Sequence, residues 1–179
     1  MCIRDRLERI DREIENHLAG KPAFIRMKLN AILDEEFVEA LYKASQAGVK
    51  IELIVRGICS IRAGVPGLSE NIRARSILGR FLEHSRVFHF ANDGRDEIYI
   101  GSADLMHRNL DRRVESLVQI TQNDHKRFLI GALDNYLSDE FVRWEMHQDG
   151  HWFEIKDGPD GVRLKDFHAS AIEWYRVRG

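Results

Sequence analysis

His84, Ser85 and Arg86 are followed, after the alternating run Val87-Phe88-His89-Phe90, by Gly101-Ser102-Ala103-Asp104. These are the side-chain types that phosphoryl transfer needs, because the transferring group demands neutralisation of its charge and a partner for the proton. The imidazole of His84 is a side chain suited to acid, base or nucleophilic work. Arg86, two residues on, offers a planar fork of donors for two phosphate oxygens at once. The Gly101-Ser102 pair would let backbone amides and a hydroxyl come close to a phosphate. A carboxylate would repel such a ligand, so the expected role of Asp104 is to orient the histidine. Each group has a bland counterpart: a hydrogen-bonded histidine, an ordinary salt bridge, a simple turn. Arg56, Arg73, Arg75, Arg108, Arg112 and Arg113 lie at or near expected strand ends, and as a set they favour a polyanion pocket over a solvated basic face. Arg112 and Arg113 point to opposite sides if extended, so at most one of them serves a given pocket.

The elements that must position these groups follow from periodicity. Leu7, Ile10, Ile14 and Leu18 share a helix face that Gly20-Lys21-Pro22 ends. Phe24, Arg26 and Lys28 alternate with Ile25, Met27 and Leu29, which predicts a strand with a cationic and an apolar side. Asp34 is the expected N-cap of a helix carrying Phe37, Leu41 and Ala44 and closed by Gly48, and Val49, Ile51, Leu53 and Val55 alternate as the next strand. Strand, helix and strand at this spacing predict a parallel, right-handed βαβ unit. The glycine-rich stretch from Gly57 to Asn71 is then a loop at a strand's carboxyl end, where α/β sheets bind ligands. A short strand over 72–76 and a short helix over 77–83 lead to His84. Asn92-Asp93-Gly94 predicts a hairpin between Val87–Phe90 and Ile98–Ile100. A strand over 113–120, a helix over 128–137, a small hairpin around Asp149-Gly150 and a terminal helix through Phe167, Ala171 and Trp174 complete the expectation. The implied division is 1–20 as a scar followed by a helix, 21–138 as the main domain and 139–179 as a C-terminal hairpin and helix appendage.

With 179 residues, 44% hydrophobic and 31% charged, the chain has room for one main core. Its net charge of −2 means that any polyanion site must come from local clustering of arginine and lysine. No apolar run approaches the roughly 18 residues of a membrane span. Cys2 and Cys59 have no metal-ligand or C-x-x-C spacing, and the first residues lack the apolar core of a signal peptide, so a reducing cytoplasmic setting is expected. Met1-Cys2-Ile3-Arg4-Asp5-Arg6 fits nothing after it and is expected to be a scar on a truncated chain. His147 and His151 flank a turn rather than sharing a helix face, and the other histidines have no ligand spacing, so no metal site is expected from this chain alone.

His84-x-Arg86 followed by Gly101-Ser102-x-Asp104 resembles the H-x-K and G-S-x-N signature of the phospholipase D type, here present once. The longer strings are more specific: Leu53-Ile54-Val55-Arg56-Gly57-Ile58-Cys59, Ser69-Glu70-Asn71-Ile72-Arg73, Phe81-Leu82-Glu83-His84-Ser85-Arg86-Val87, and Ser102 through Glu115. Over about Ile10 to Asp139 they resemble the second, C-terminal catalytic domain of bacterial polyphosphate kinases. The resemblance implies an α/β fold, a phospholipase-D-like mixed sheet flanked by helices. It implies reversible transfer of the terminal phosphate of ATP to inorganic polyphosphate through a phosphohistidine, with Mg²⁺, the phosphorylated histidine and the Mg²⁺ ligands lying in parts of the enzyme outside this chain. His84 then matches a histidine that assists as acid or base, and Arg56 and Arg113 match arginines lining the phosphate site, with Arg86, Ser102 and Arg108 as further phosphate or nucleotide contacts. Leu105, His107 and Gly101 depart from the family pattern and leave nucleotide preference open. Implied partners are ATP or ADP and polyphosphate, not nucleic acid; the intact enzyme is expected to be a homo-oligomer and the chain alone inactive. Two alternatives remain: a stand-alone polyanion-binding module, and a phospholipase D or nuclease half-site completed by dimerisation.

Overall fold

Strand β1 (Phe24–Leu29) turns Ile25, Met27 and Leu29 to one side and Arg26 and Lys28 to the other, and the whole architecture is arranged around that alternation. The computed structural model describes residues 3–106 and 115–176. Helix α2 (Glu35–Gln46) carries the chain back to β2 (Lys50–Val55), parallel to β1 in the register Phe24↔Lys50 through Leu29↔Val55. Asp34 caps α2 by accepting a hydrogen bond from the Phe37 amide at 3.2 Å, and Gly48 adopts φ +99° after its end, as the sequence predicts. Strand β3 (Ile72–Ser76) is parallel to β2, and β4 (Val87–Phe90) is antiparallel to β1 on its other side. The β4–β5 hairpin turns through Asn92, Asp93 and Gly94, all at positive φ, before β5 (Glu97–Gly101). With β6 (Leu117–Ile120), β7 (Arg143–Met146) and β8 (Trp152–Ile155), the described strands form one mixed eight-stranded sheet of order β6-β5-β4-β1-β2-β3-β7-β8.

Helix α1 (Ile3–Leu18) lies beside α2, and Ile10, Phe37 and Leu41 pack on Ile25, Met27, Leu53 and Phe88 to make the main core. On the opposite face, Leu133 of α3 (Asn123–Leu137) packs on Ile54, Val87 and Ile98, and α4 (Phe167–Arg176) joins through Phe167, Phe141 and Ile77. Covered on both faces, β1 and β2 are almost entirely buried, as parallel strands in α/β sheets are.

Several local expectations are corrected. Residues 77–83 form no helix: seven residues with Gly79 among them are too few to repay helix nucleation, and the Phe81 amide bonds instead to His168 of α4. Helix α3 begins at Asn123 rather than Phe128, because its first turn is polar and exposed and leaves no apolar period to read. Strand β6 starts only at Leu117, and Arg113 and Val114 lie outside the described residues. The Asp149-Gly150 hairpin continues the main sheet, since β7 pairs with β3 through Arg75↔Glu145 and Ser76↔Trp144. Arg73 and Arg75 do not serve a polyanion pocket. Arg75, with no exposed side-chain surface, reaches Asp139 at 2.9 Å and Glu145 at 3.0 Å, and Arg73 and Arg143 converge on the same two carboxylates.

Burial pushes the Glu145 and Asp139 carboxyls up, but the three guanidiniums more than offset it and hold both below the ordinary carboxylate range. Their contribution to stability is therefore complete above the unfolded pKa of about 4 and is lost as pH falls through the lower folded values. The urea midpoint should stay flat from about pH 7 to 5 and fall below about pH 4. Glu145→Ala, which leaves the buried Arg75 guanidinium with one carboxylate partner, should cost about 3 kcal/mol at pH 7 in the same measurement.

Candidate functional site

The carboxyl ends of β1 and β2 deliver Asn30 and Arg56 side by side. Their backbones interlock, with the Arg56 amide on the Leu29 carbonyl at 3.1 Å and the Gly57 amide on the Asn30 carbonyl at 2.9 Å. A Cβ at Gly57 would lie 2.9 Å from that carbonyl oxygen, so the close approach requires glycine. The segment after β5 is drawn to the same place by a bridge between Ile32 and Leu105 and by the Leu105 amide on the Ala31 carbonyl at 3.2 Å.

That pairing inserts Asp104 at the hub of a polar chain. Its Oδ1 accepts from the backbone amides of Asn30 at 2.7 Å and Ala31 at 3.3 Å. Arg86 grips it with both arms of the fork, Nε to Oδ1 at 3.2 Å and Nη2 to Oδ2 at 2.8 Å. Asn30 Nδ2 completes the carboxylate at 3.4 Å, while Asn30 Oδ1 accepts from Arg56 Nε at 3.0 Å. Burial raises the Asp104 carboxyl, yet Arg86 and the amides outweigh it and hold the group below the usual range.

Arg86 also turns Nη1 to His84, 3.1 Å from Nδ1 and 3.0 Å from the carbonyl oxygen. A guanidinium can only donate, so Nδ1 is the acceptor and a neutral His84 carries its proton on Nε2. His84 itself is exposed. The sequence expectation is thus corrected in one place: Asp104 orients Arg86 rather than the histidine. Arg86, its fork engaged by Asp104, also holds His84. Arg56 is half-buried and, among the described residues, hydrogen-bonds a side chain only through Nε, which leaves its two terminal nitrogens without a side-chain partner there. A cleft of about 220 Å³ opens beside it, lined by Gly57, Ser76, Leu78, Trp144 and Trp152.

Ser102 is exposed, but its amide donates to the Ser116 carbonyl at 3.1 Å and its hydroxyl to Glu115, so both donors are engaged on the β6 side. Gly101 is likewise explained by packing: a Cβ there would sit 2.2 Å from the Ser116 carbonyl oxygen. Arg108, Arg112 and Arg113 lie outside the described residues. The carboxylates nearest His84 do not fit Mg²⁺. Asp104 is saturated by Arg86 and amides, and Glu83 by Lys28, Tyr136 and His168, while no cluster of three or more potential ligands occurs among the described residues. Periodicity did not find Asn30, the bridge between Arg56 and Asp104. It also missed the burial of Lys28, which at 2% exposure lies under the His84 segment. The only sequence signal for Asn30 is its place directly after the strand that pairs with the Arg56 strand.

The geometry has known counterparts. A family model described as polyphosphate kinase C-terminal domain 2 matches residues 1–164. The polyphosphate kinase of Streptomyces coelicolor is 51% identical over 177 residues, covering 98% of this chain and 24% of that protein, so the chain spans about a quarter of the relative's length. The crystal structure of polyphosphate kinase from Porphyromonas gingivalis superposes over 98% of the chain and 27% of its own, with a TM-score of 0.89 and 33% identity. Nuc, a phospholipase D family member from Salmonella typhimurium, shares the fold at a TM-score of 0.51 and 14% identity over 73% of this chain and 84% of its own. On this similarity of sequence and fold, the chain belongs to the polyphosphate kinase family, as its C-terminal domain 2.

Proposed function

We propose that this chain works as the second catalytic domain of a polyphosphate kinase and forms one wall of the site where the terminal phosphate of ATP passes reversibly to inorganic polyphosphate. The observation that carries this reading is the unbroken polar chain Arg56–Asn30–Asp104–Arg86–His84 at the carboxyl ends of the central strands. In this role His84 turns Nε2 outward; to act there as the acid or base the ring carries a proton on Nδ1, so Arg86 then holds the residue through the His84 carbonyl alone, while Arg56 offers two nitrogens to the phosphate oxygens. Charge stabilisation of this kind is the main thing a protein contributes to phosphoryl transfer. The phosphohistidine belongs to another domain of a longer cytoplasmic, homo-oligomeric enzyme, and with it the residues for Mg²⁺, which the carboxylates beside His84 do not fit. Arg113, Arg108 and Ser102 remain proposed phosphate contacts on the family resemblance alone.

The test is a graft of this chain in place of the matching quarter of the Streptomyces coelicolor enzyme. His84→Ala should lower kcat by about 10²- to 10⁴-fold, the range of general acid–base catalysis. Arg56→Ala should lower kcat/KM by about 10- to 100-fold, as loss of a charge-assisted hydrogen bond does. Activity unchanged by both substitutions would exclude the site. The chain by itself, incubated with ATP labelled at the terminal phosphate, should form no acid-labile phosphohistidine; label on His84 would reverse the assignment of its role.

A further inference from the structure

The segment that carries His84 has no regular secondary structure, and residues 77–86 present Leu78, Phe81 and Leu82 to solvent. Something other than helix or ladder hydrogen bonds must hold the imidazole in place. On the strand side Ser85 is tied to Lys28, whose Nζ lies 2.8 Å from the Ser85 hydroxyl. On the other side Glu83 accepts from three donors: Tyr136 Oη at 2.6 Å, Lys28 Nζ at 3.0 Å and His168 Nε2 at 2.7 Å. Burial raises the Glu83 carboxyl, but these donors outweigh it and hold the group ionised below the ordinary range.

His168 is the most distant of these groups in sequence and the only one on α4. It is buried, and it touches the segment twice, since the Phe81 amide donates to Nδ1 at 3.3 Å while Nε2 meets Glu83. Only the neutral tautomer with its proton on Nε2 satisfies both bonds. The backbone of the segment also passes directly over the ring: a Cβ at Gly79 would be 2.5 Å from Nδ1. The ring is further fixed by edge contacts with Phe81 and Phe167, and Asp166 caps α4 by accepting from the Ala169 amide at 2.7 Å.

We propose that His168 is a positioning residue for His84: the C-terminal helix, through the His168–Glu83 hydrogen bond and the Phe81 amide, sets the placement of the histidine loop. The proposal rests on the reading of His84 as a participant in phosphoryl transfer. It assigns the last helix of the chain a part in that reaction although it touches none of the reacting atoms.

Two measurements test it. In this chain, His168→Phe keeps a packed ring and removes both hydrogen bonds, and amide hydrogen exchange at residues 81–86 should accelerate at least about tenfold while β1 and β2 are unchanged. In the Streptomyces coelicolor graft, the same substitution should lower kcat by about 10- to 100-fold, the effect of a misplaced group, with KM for ATP within twofold. His168→Gln, which retains a donor for Glu83, should recover most of the loss. If His168→Phe does not fold, His168→Asn, which keeps an acceptor for Phe81 and loses the donor to Glu83, is read by the same criterion. A folded His168→Phe or His168→Asn graft with wild-type kcat, beside an inactive His84→Ala, overturns the positioning role alone. Wild-type activity in His84→Ala overturns the reading beneath it instead.

Discussion

The carboxylate of Asp104 is the point on which the site depends. It follows β5, yet its oxygens are bound by the amides of Asn30 and Ala31 after β1 and by both arms of Arg86 before β4. A buried carboxylate with this many charge-assisted donors is strongly ionised and rigid, because removing any partner would leave a charge without compensation. Three separate stretches of backbone are thereby fixed to each other within hydrogen-bond tolerance. The consequences run outward in two directions, through Arg86 to His84 and through Asn30 to Arg56.

The rest of the fold supplies the conditions for that contact. β1 sits at the centre of the sheet, paired in parallel with β2 and antiparallel with β4, so the carboxyl ends of β1 and β2 and the start of β4 meet at one edge. The apolar side of β1 anchors the main core with α1 and α2. Its cationic side is not solvated, as isolated charged positions usually are. Arg26 pairs with Glu52 and Asp134, and Lys28 stands over the Tyr136 ring at 4.8 Å while binding Glu83. Buried cations of this kind are tolerated only where carboxylates answer them, and here the answering carboxylate belongs to the segment that precedes the candidate acid or base.

Much of this was legible in the linear chain, for identifiable reasons. Alternation over β1 and β2, the Asp34 cap, the glycine after α2 and the Asn92-Asp93-Gly94 turn are local rules obeyed within a few residues, and each appears where periodicity places it. The segment 77–83 was misjudged because its backbone is satisfied by α4, nearly ninety positions away, and not by its own neighbours. Arg73 and Arg75 looked like phosphate ligands because an arginine's charge is visible in sequence whereas its partner is not; Asp139 and Glu145 claim both. The role of Asp104 was misassigned for the same reason, since nothing between residues 86 and 104 announces a bidentate pair.

What the sequence determined by itself, therefore, was the list of groups and the local elements: a histidine and an arginine two apart, an arginine closing β2, a βαβ unit and a mixed sheet. Those features depend on side-chain type and on contacts within a turn or a strand, which spacing encodes directly. Only the tertiary structure decided which arginine holds the histidine, which has terminal nitrogens without a side-chain partner among the described residues, and which disappears into an ion-pair network. Those outcomes depend on pairings between residues tens of positions apart, and a charge acquires its function from the partner that folding brings within hydrogen-bond distance.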